Sequence, residues 1–394
     1  MKVVQINAVC NGSTGKICVA ISDLLTQEGI ENYIFHTGGK VDLPAARQYM
    51  THNEIKLQAL RSRILGNYGF NSAAATRRLL KQLDAVSPDI VHLHNIHGHN
   101  CHLGMLLTYL KEKKIRVVWT FHDCWAFTAY CPHFMTEGCE KWKTGCEKCP
   151  QHARYSWFFD RSCVLYRKKK SLFTDLDMTV ITPSQWMADL VKQSFLEGCP
   201  VKVINNGIDL SIFHPCAGEF RKKYGLDGKR IVLGVASGWS SGKGLSTFIE
   251  LSERLDERYV CVLVGTDDRV DQLLPAHMVS IHKTQNQQEL AEIYSAADVF
   301  FNPTQEDTYP TVNMEAIACG TPVVTYRTGG SPEMISEGTG FVVAHDLNAA
   351  VCAIEQAIAG GTAMRQRCTK AAARFEQTDR FRDYMHIYVG EKTL

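Results

Sequence analysis

Short apolar runs alternate with segments of helical period along most of this chain. Val3, Val4, Ile6 and Val9 form a strand-like run that Asn11-Gly12-Ser13-Thr14-Gly15 interrupts; Ile17, Ala20, Ile21, Leu24 and Leu25 then follow at helical spacing. Further strands are predicted over 32–36, 89–95, 116–121 and 178–182, with helices between most of them. A second series follows Asn205-Asn206-Gly207-Ile208-Asp209, with strands over 230–236, 259–264, 298–302 and 322–326 and helices beginning near Lys243, Gln287, Thr311 and Ser331. Such alternation predicts an α/β protein of two similar halves, each a parallel sheet wrapped by helices. The division expected is a first domain over 1–178 with a cysteine-rich loop over 122–152, and a second over 179–375. A polar, aromatic segment over 376–394 is expected to pack back on the first. In folds of this kind ligands gather at the carboxyl ends of the strands and between domains.

Composition narrows the function classes. The 394 residues suffice for two cores, and 45% hydrophobic with 21% charged residues is ordinary for a globular protein. With 43 basic and 41 acidic residues the net charge is +2, so no global field points to nucleic acid. No apolar run approaches the roughly 18–20 residues of a membrane span, and Met1 to Ile6 reads as a strand rather than a leader. The 15 cysteines are odd in number and scattered, which suits reduced thiols in a cytoplasm.

Candidate chemistry concentrates in the second half. A strand ends at Asn302-Pro303, a loop carries Glu306 and Asp307, and a helix from near Thr311 bears Glu315 before Cys319-Gly320-Thr321-Pro322 stops it. Carboxylates so placed suit the hydroxyls of a sugar or ribose; the plainer reading is an acidic residue favouring a helix dipole. Two Gly-rich turns after strands tilt the balance. Gly238-Trp239-Ser240-Ser241-Gly242-Lys243-Gly244 offers backbone N–H groups and an ammonium to a diphosphate, and Thr328-Gly329-Gly330-Ser331-Pro332-Glu333 offers a second such turn.

The run Asn205-Asn206-Gly207-Ile208-Asp209, the Lys243-Gly244 turn and the block Glu315-Ala316 through Gly320-Thr321-Pro322-Val323-Val324 resemble retaining glycosyltransferases of family 4. The resemblance covers most of the C-terminal half. It implies a GT-B fold of two Rossmann-like domains facing across a cleft, and a donor site for a nucleotide sugar, UDP- ahead of GDP-linked. On the same basis Lys243 contacts the diphosphate and Glu315 the ribose hydroxyls, with the amides near Gly15, Gly329 and Gly330 on the phosphates. Residues 282–285, Thr284 among them, hold the base through backbone. His122, in Phe121-His122-Asp123, and the Glu306-Asp307 pair hold the sugar; no catalytic metal is expected. Two departures stand out. Asp307 occupies a position where the family carries glutamate, with Glu306 beside it, and Trp239, Ser240, Ser241 and Gly242 stand where an arginine is common. Similar variants belong to enzymes of bacterial capsule, O-antigen and exopolysaccharide assembly, which implies a lipid-linked or saccharide acceptor.

The first half adds two features. Cys131, Cys139, Cys146 and Cys149 lie within one loop, and the Cys146-Glu147-Lys148-Cys149 spacing lets two thiolates share a tetrahedral ion. A structural zinc is expected, against unlinked thiols or a disulfide. By contrast His92, His94, His97, His99 and His102 show no ligand spacing. Residues 55–83 carry Lys56, Arg61, Arg63, Arg77, Arg78 and Lys81 without an acidic residue, and Leu57, Leu60, Ile64 and Tyr68 recur at helical spacing. Residues 155–173 combine Trp157, Phe158, Phe159 and Tyr166 with Arg161, Arg167, Lys168, Lys169 and Lys170. These suit an anionic membrane surface or, equally, two packed helices with solvated basic faces. The competing functions are a nucleotide-sugar epimerase of similar architecture and a non-catalytic nucleotide-sugar-binding module.

Overall fold

The computed structural model describes residues 1–39 and 42–390. The chain divides into two compact units, residues 1–205 with 381–394, and 206–380. The first holds a seven-stranded parallel sheet of β1 (Lys2–Val9), β2 (Glu31–Gly38), β3 (Ala46–Gln48), β4 (Ile90–Leu93), β5 (Arg116–Thr120), β6 (Met178–Thr182) and β7 (Val201–Val203), in the order β3-β2-β1-β4-β5-β6-β7. The second holds β8 (Arg230–Val235), β9 (Tyr259–Val264), β10 (Val279–Ile281), β11 (Val299–Asn302), β12 (Val323–Tyr326) and β13 (Gly340–Val343), in the order β10-β9-β8-β11-β12-β13. Both sheets are doubly wound. The order reverses between β1 and β4 in one and between β8 and β11 in the other, so a crevice opens at the carboxyl ends of those strands.

Burial explains the continuous apolar runs. Ile231, Val232 and Leu233 of β8 are all buried because helices cover both faces of a parallel sheet. The helix Leu245–Arg254 turns Leu245, Phe248 and Leu251 inward, three residues apart, into the cluster containing Val232, Cys261 and Phe301. The first sheet differs in having a buried polar stripe, with Gln5, Asn7, His92, His94 and Thr120 all shielded from solvent. The helix Gln377–Val389, whose residues from Phe381 onward belong to this unit, covers and satisfies part of it. The Tyr388 hydroxyl meets His92 Nδ1 at 2.6 Å, and the Tyr384 hydroxyl meets Thr120 Oγ1 at 3.1 Å. Arg116 then donates to the Ile387 and Tyr388 carbonyls at 2.6 and 3.1 Å, meeting the helix end with positive charge.

Three expectations are corrected. The boundary lies near 205 rather than 178, because β6 and β7 pair onto β5 and complete the first sheet. No helix begins at Ser331; Ser331–Met334 is a single 3₁₀ turn with Pro332 inside it. Leu57, Leu60 and Ile64 lie on the helix His52–Leu65, but Tyr68 does not, since Gly66 ends that helix in the left-handed conformation. Of the C-terminal segment, Phe381, Tyr384, Met385 and Tyr388 pack on the first sheet, 376–380 belong to the second unit, and 391–394 lie outside the described residues.

Candidate active site

In the second unit the reversal of strand order sets the turn after β8 beside the loop after β11. Gln305 N donates to the Gly242 carbonyl at 2.8 Å, which ties the two together. Between them the Lys243 ammonium donates to Asp307 Oδ2 at 2.8 Å. The turn 238–244 leads into the helix Leu245–Arg254 with Gly244 as its N-cap; the Leu245 amide closes on the Ser240 carbonyl at 3.2 Å, and the amides after it in the first turn follow beside Lys243.

The loop after β12 reaches the same place. Gly329 (φ +53°) is pressed so closely on the Asp307 carbonyl that a Cβ there would sit 1.7 Å from its oxygen. Only glycine fits this approach. Gly330 N lies 3.4 Å from the same oxygen. The Gly330 amide is thus spent on Asp307, and because a 3₁₀ turn rather than a helix follows, this turn brings little helix dipole. Glu315, on the helix Thr311–Ala318, is half-buried and accepts from the Tyr294 hydroxyl at 2.9 Å. Burial first, and that carboxylate second, hold the Tyr294 phenol well above its usual range, so it stays a donor to Glu315.

Structure thus brings Lys243, Asp307, Gly329 and Gly330 together, with Glu306 next in the chain. Thr284 is half-buried in the segment after β10, the edge strand. Its neighbour Gln285 already spends its amide on Glu289 Oε2 at 2.6 Å. Sequence reasoning passed over three residues here. His345 bridges Gln305 Oε1 at 2.8 Å and Thr328 Oγ1 at 2.9 Å, linking the loops after β11 and β12. Among the described residues, the buried Ser331 Oγ and Asn313 Nδ2 have no hydrogen-bond partner. Neither type is distinctive in sequence; only their burial without a partner marks them as groups that a ligand could satisfy.

In the first unit Gly15 lies in the opening turn of the helix Gly12–Gln27, against the end of β1. His122 follows β5 and stacks on His94, with His94 Nδ1 3.1 Å from His122 Nε2. The chain of donors assigns the proton. Gln5 Nε2 donates to the Cys18 carbonyl at 2.9 Å, which leaves Gln5 Oε1 to accept from His94 Nε2 at 3.1 Å. Neutral His94 therefore accepts at Nδ1, and His122 must donate from Nε2. His122 thus holds its proton at Nε2, toward His94. Burial pushes its pKa down to about 4, against the opposing charge of Asp123. Asp123 itself is held low: burial would raise it, but His97 at 3.0 Å and the Trp125 amide outweigh that.

The remaining histidines have separate tasks. His99 Nδ1 meets Asn71 at 3.2 Å, and His102 caps the helix Leu103–Glu112 through the Met105 amide. Cys131, Cys139, Cys146 and Cys149 line one pocket in the loop after β5 and are all free thiols. Asp268, Asp271 and His282 form an exposed group whose ligand atoms lie within 4.8 Å of one another; His282 Nε2 and Asp271 Oδ2 are 2.6 Å apart as an ordinary ion pair.

Known proteins share this architecture. Residues 15–212 match the family described as Glycosyltransferase Family 4, and residues 217–375 match that described as Glycosyl transferases group 1. The chain is 23% identical over 421 residues to the Escherichia coli K12 protein WcaC, named for a glycosyl transferase of colanic acid biosynthesis; the match spans 98% of this chain and 99% of WcaC. Among solved structures, sucrose-phosphate synthase from Thermosynechococcus elongatus superposes with a TM-score of 0.73 at 16% identity, covering 98% of both chains. Anabaena Alr3699/HepE, solved in complex with UDP, gives 0.69 at 16% identity over 99% of this chain and 100% of that one.

Proposed function

The chain belongs to glycosyltransferase family 4, and from that premise we propose that it transfers a sugar from a UDP-sugar to a lipid-linked or saccharide acceptor in bacterial surface polysaccharide synthesis, with retention of anomeric configuration. The observation that carries the donor reading is the convergence of Lys243, Asp307, Gly329 and Gly330 at the strand-order reversal of the second sheet. Lys243 and the first-turn amides that follow Leu245 take the diphosphate, where leaving-group charge develops. Glu315 receives the ribose hydroxyls, and Glu306 and Asp307 receive those of the sugar. His122 holds the sugar or the acceptor. The leaving diphosphate helps to deprotonate the attacking hydroxyl on the same face, so no carboxylate nucleophile is needed on the far face. Support for UDP and for the polysaccharide pathway comes from the named relatives, HepE for the nucleotide and WcaC for the product class.

Membrane docking is part of the same proposal. Leu57, Leu60, Ile64 and Leu65 on the helix His52–Leu65 are exposed, as are Trp157, Phe158 and Phe159. The two segments meet, since Trp157 N donates to the Arg63 carbonyl at 2.7 Å and the Arg63 guanidinium lies over the Trp157 ring. Exposed apolar side chains on segments that also expose Lys56, Arg61 and Arg161 suit an anionic bilayer. Among the described residues no helix is long and apolar enough to cross a membrane.

A thermal-shift panel of UDP- and GDP-sugars tests the donor assignment. A ligand bound only by the native state raises the melting temperature. UDP-sugars should do so and GDP-sugars should not; a shift with GDP-sugars alone would overturn the base assignment.

A further inference from the structure

The loop between His122 and Gln151 has little regular structure beyond the 3₁₀ turns Trp125–Phe127 and Lys141–Lys143. Its large side chains are nonetheless buried, with Trp125, Phe127, Tyr130, Phe134 and Trp142 all in the first unit's core. A segment this long that orders without strands or helices needs another source of stability, since each fixed residue costs backbone entropy of about 1–2 kcal/mol.

Four thiols sit at its centre. Cys131, Cys139, Cys146 and Cys149 line a single pocket walled by Tyr130, Phe134 and Trp142. Each lies within electrostatic reach of the other three. Backbone donors reach the same pocket: the Ala129 amide donates to Cys146 and the Gln151 amide to Cys149, two residues beyond it. A buried lysine stands beside them. Lys169 is fully buried, its ammonium donating to the Trp125 carbonyl at 2.6 Å and the Thr128 carbonyl at 2.9 Å. Burial disfavours that charge, while negative charge at Cys146, Cys131 and Asp123 favours it.

We propose that Cys131, Cys139, Cys146 and Cys149 bind one zinc ion as a tetrahedral tetrathiolate that staples the loop carrying His122, with Lys169 as its buried counter-charge. Four thiols release four protons, and the resulting centre carries a net charge of 2−, which a neighbouring ammonium offsets. Soft sulfur ligands in a tetrahedral set select zinc or iron, and structural sites of this closed kind are zinc's. Bonds of about 2.3 Å require neighbouring sulfurs about 3.8 Å apart. Among the described residues no three of the four sulfurs lie within 4.8 Å of one another, so the side chains must swing inward around the ion.

Elemental analysis of the full chain, purified without chelator or added metal, tests this. About one zinc per chain is expected, given the tight binding of structural zinc. Cys146→Ser and Cys149→Ser should each lose it, whereas Cys352→Ser, at an exposed thiol on another helix, should keep it. Should the serine variants fail to fold, the wild-type chain still decides: replacing zinc by cobalt(II) should give the intense visible bands of a tetrahedral thiolate site. Zinc below about a quarter of an equivalent, an equivalent of iron, or a disulfide joining any two of the four would overturn the proposal. Metal content is read apart from nucleotide affinity, so the result is separable from the fate of the donor site.

Discussion

Lys243 is held by Asp307: its ammonium lies 2.8 Å from Oδ2, with the two side chains 37% and 21% exposed. The lysine expected at a diphosphate thus has a carboxylate partner before any donor arrives. Lys243→Ala should weaken UDP binding by about 1–3 kcal/mol, the scale of a lost charge-assisted hydrogen bond. Asp307→Ala should leave UDP affinity equal or higher, because it frees the ammonium and removes a negative charge, while turnover falls. Calorimetric titration of both variants checks this. Equal loss of UDP affinity in both would mean that Asp307 acts on the nucleotide.

His94 acts on His122 through the 3.1 Å contact at its Nδ1. His94→Ala should lower turnover while leaving UDP affinity within about twofold, a difference of roughly 0.4 kcal/mol. In the wild-type chain, nitrogen-15 NMR should find His122 protonated at Nε2. A proton at Nδ1 would break the assigned chain from Gln5 onward.

Stability should fall in mild acid. Burial lowers the pKa of His122 and His99 to about 4, and holds His92 and His94 well below the ordinary value. In the unfolded chain these groups titrate near 6.5. Between about 6.5 and 4 the unfolded state therefore binds more protons, so stability present above pH 6.5 is lost as the pH falls through that window. The apparent melting temperature should drop across it, and His122→Gln should flatten the slope. A melting temperature that rises from pH 6.5 to 4.5 would contradict the buried neutral histidines.

The joined surface of Leu57, Leu60, Trp157 and Phe158 should carry the chain onto anionic vesicles. Phe158 is 68% exposed, so its removal costs little packing. Co-sedimentation should fall with rising salt, and both Arg61→Ser with Arg63→Ser and Phe158→Ser should reduce it. Equal recovery on neutral and anionic vesicles would leave the surface without an electrostatic role.

Alternation of apolar runs was enough to reveal two parallel sheets, because burial on both faces writes continuous hydrophobic strands into the sequence. The donor loops were legible for a related reason: Gly244, Gly329 and Gly330 fall in the turns that follow strands. The meaning of Gly207 was not, since it is set by a distant element. A Cβ there would lie 2.3 Å from Gln377 Cα, and Ile208 exchanges backbone hydrogen bonds with Phe375 and Gln377. The polar stripe under Tyr384 and Tyr388 was equally hidden, because His92 meets Tyr388 across 296 positions of sequence. Exposure of Leu57 and Leu60 could not be read either, as a helical apolar period looks the same on a core helix and on a bare one.

The measurement closest to the central claim is proton NMR of the reaction of a UDP-sugar with a lipid-linked acceptor. The account predicts release of UDP with a product whose anomeric coupling matches that of the donor. An inverted coupling would contradict retention, and an isomerised UDP-sugar formed without acceptor or UDP release would contradict glycosyl transfer itself.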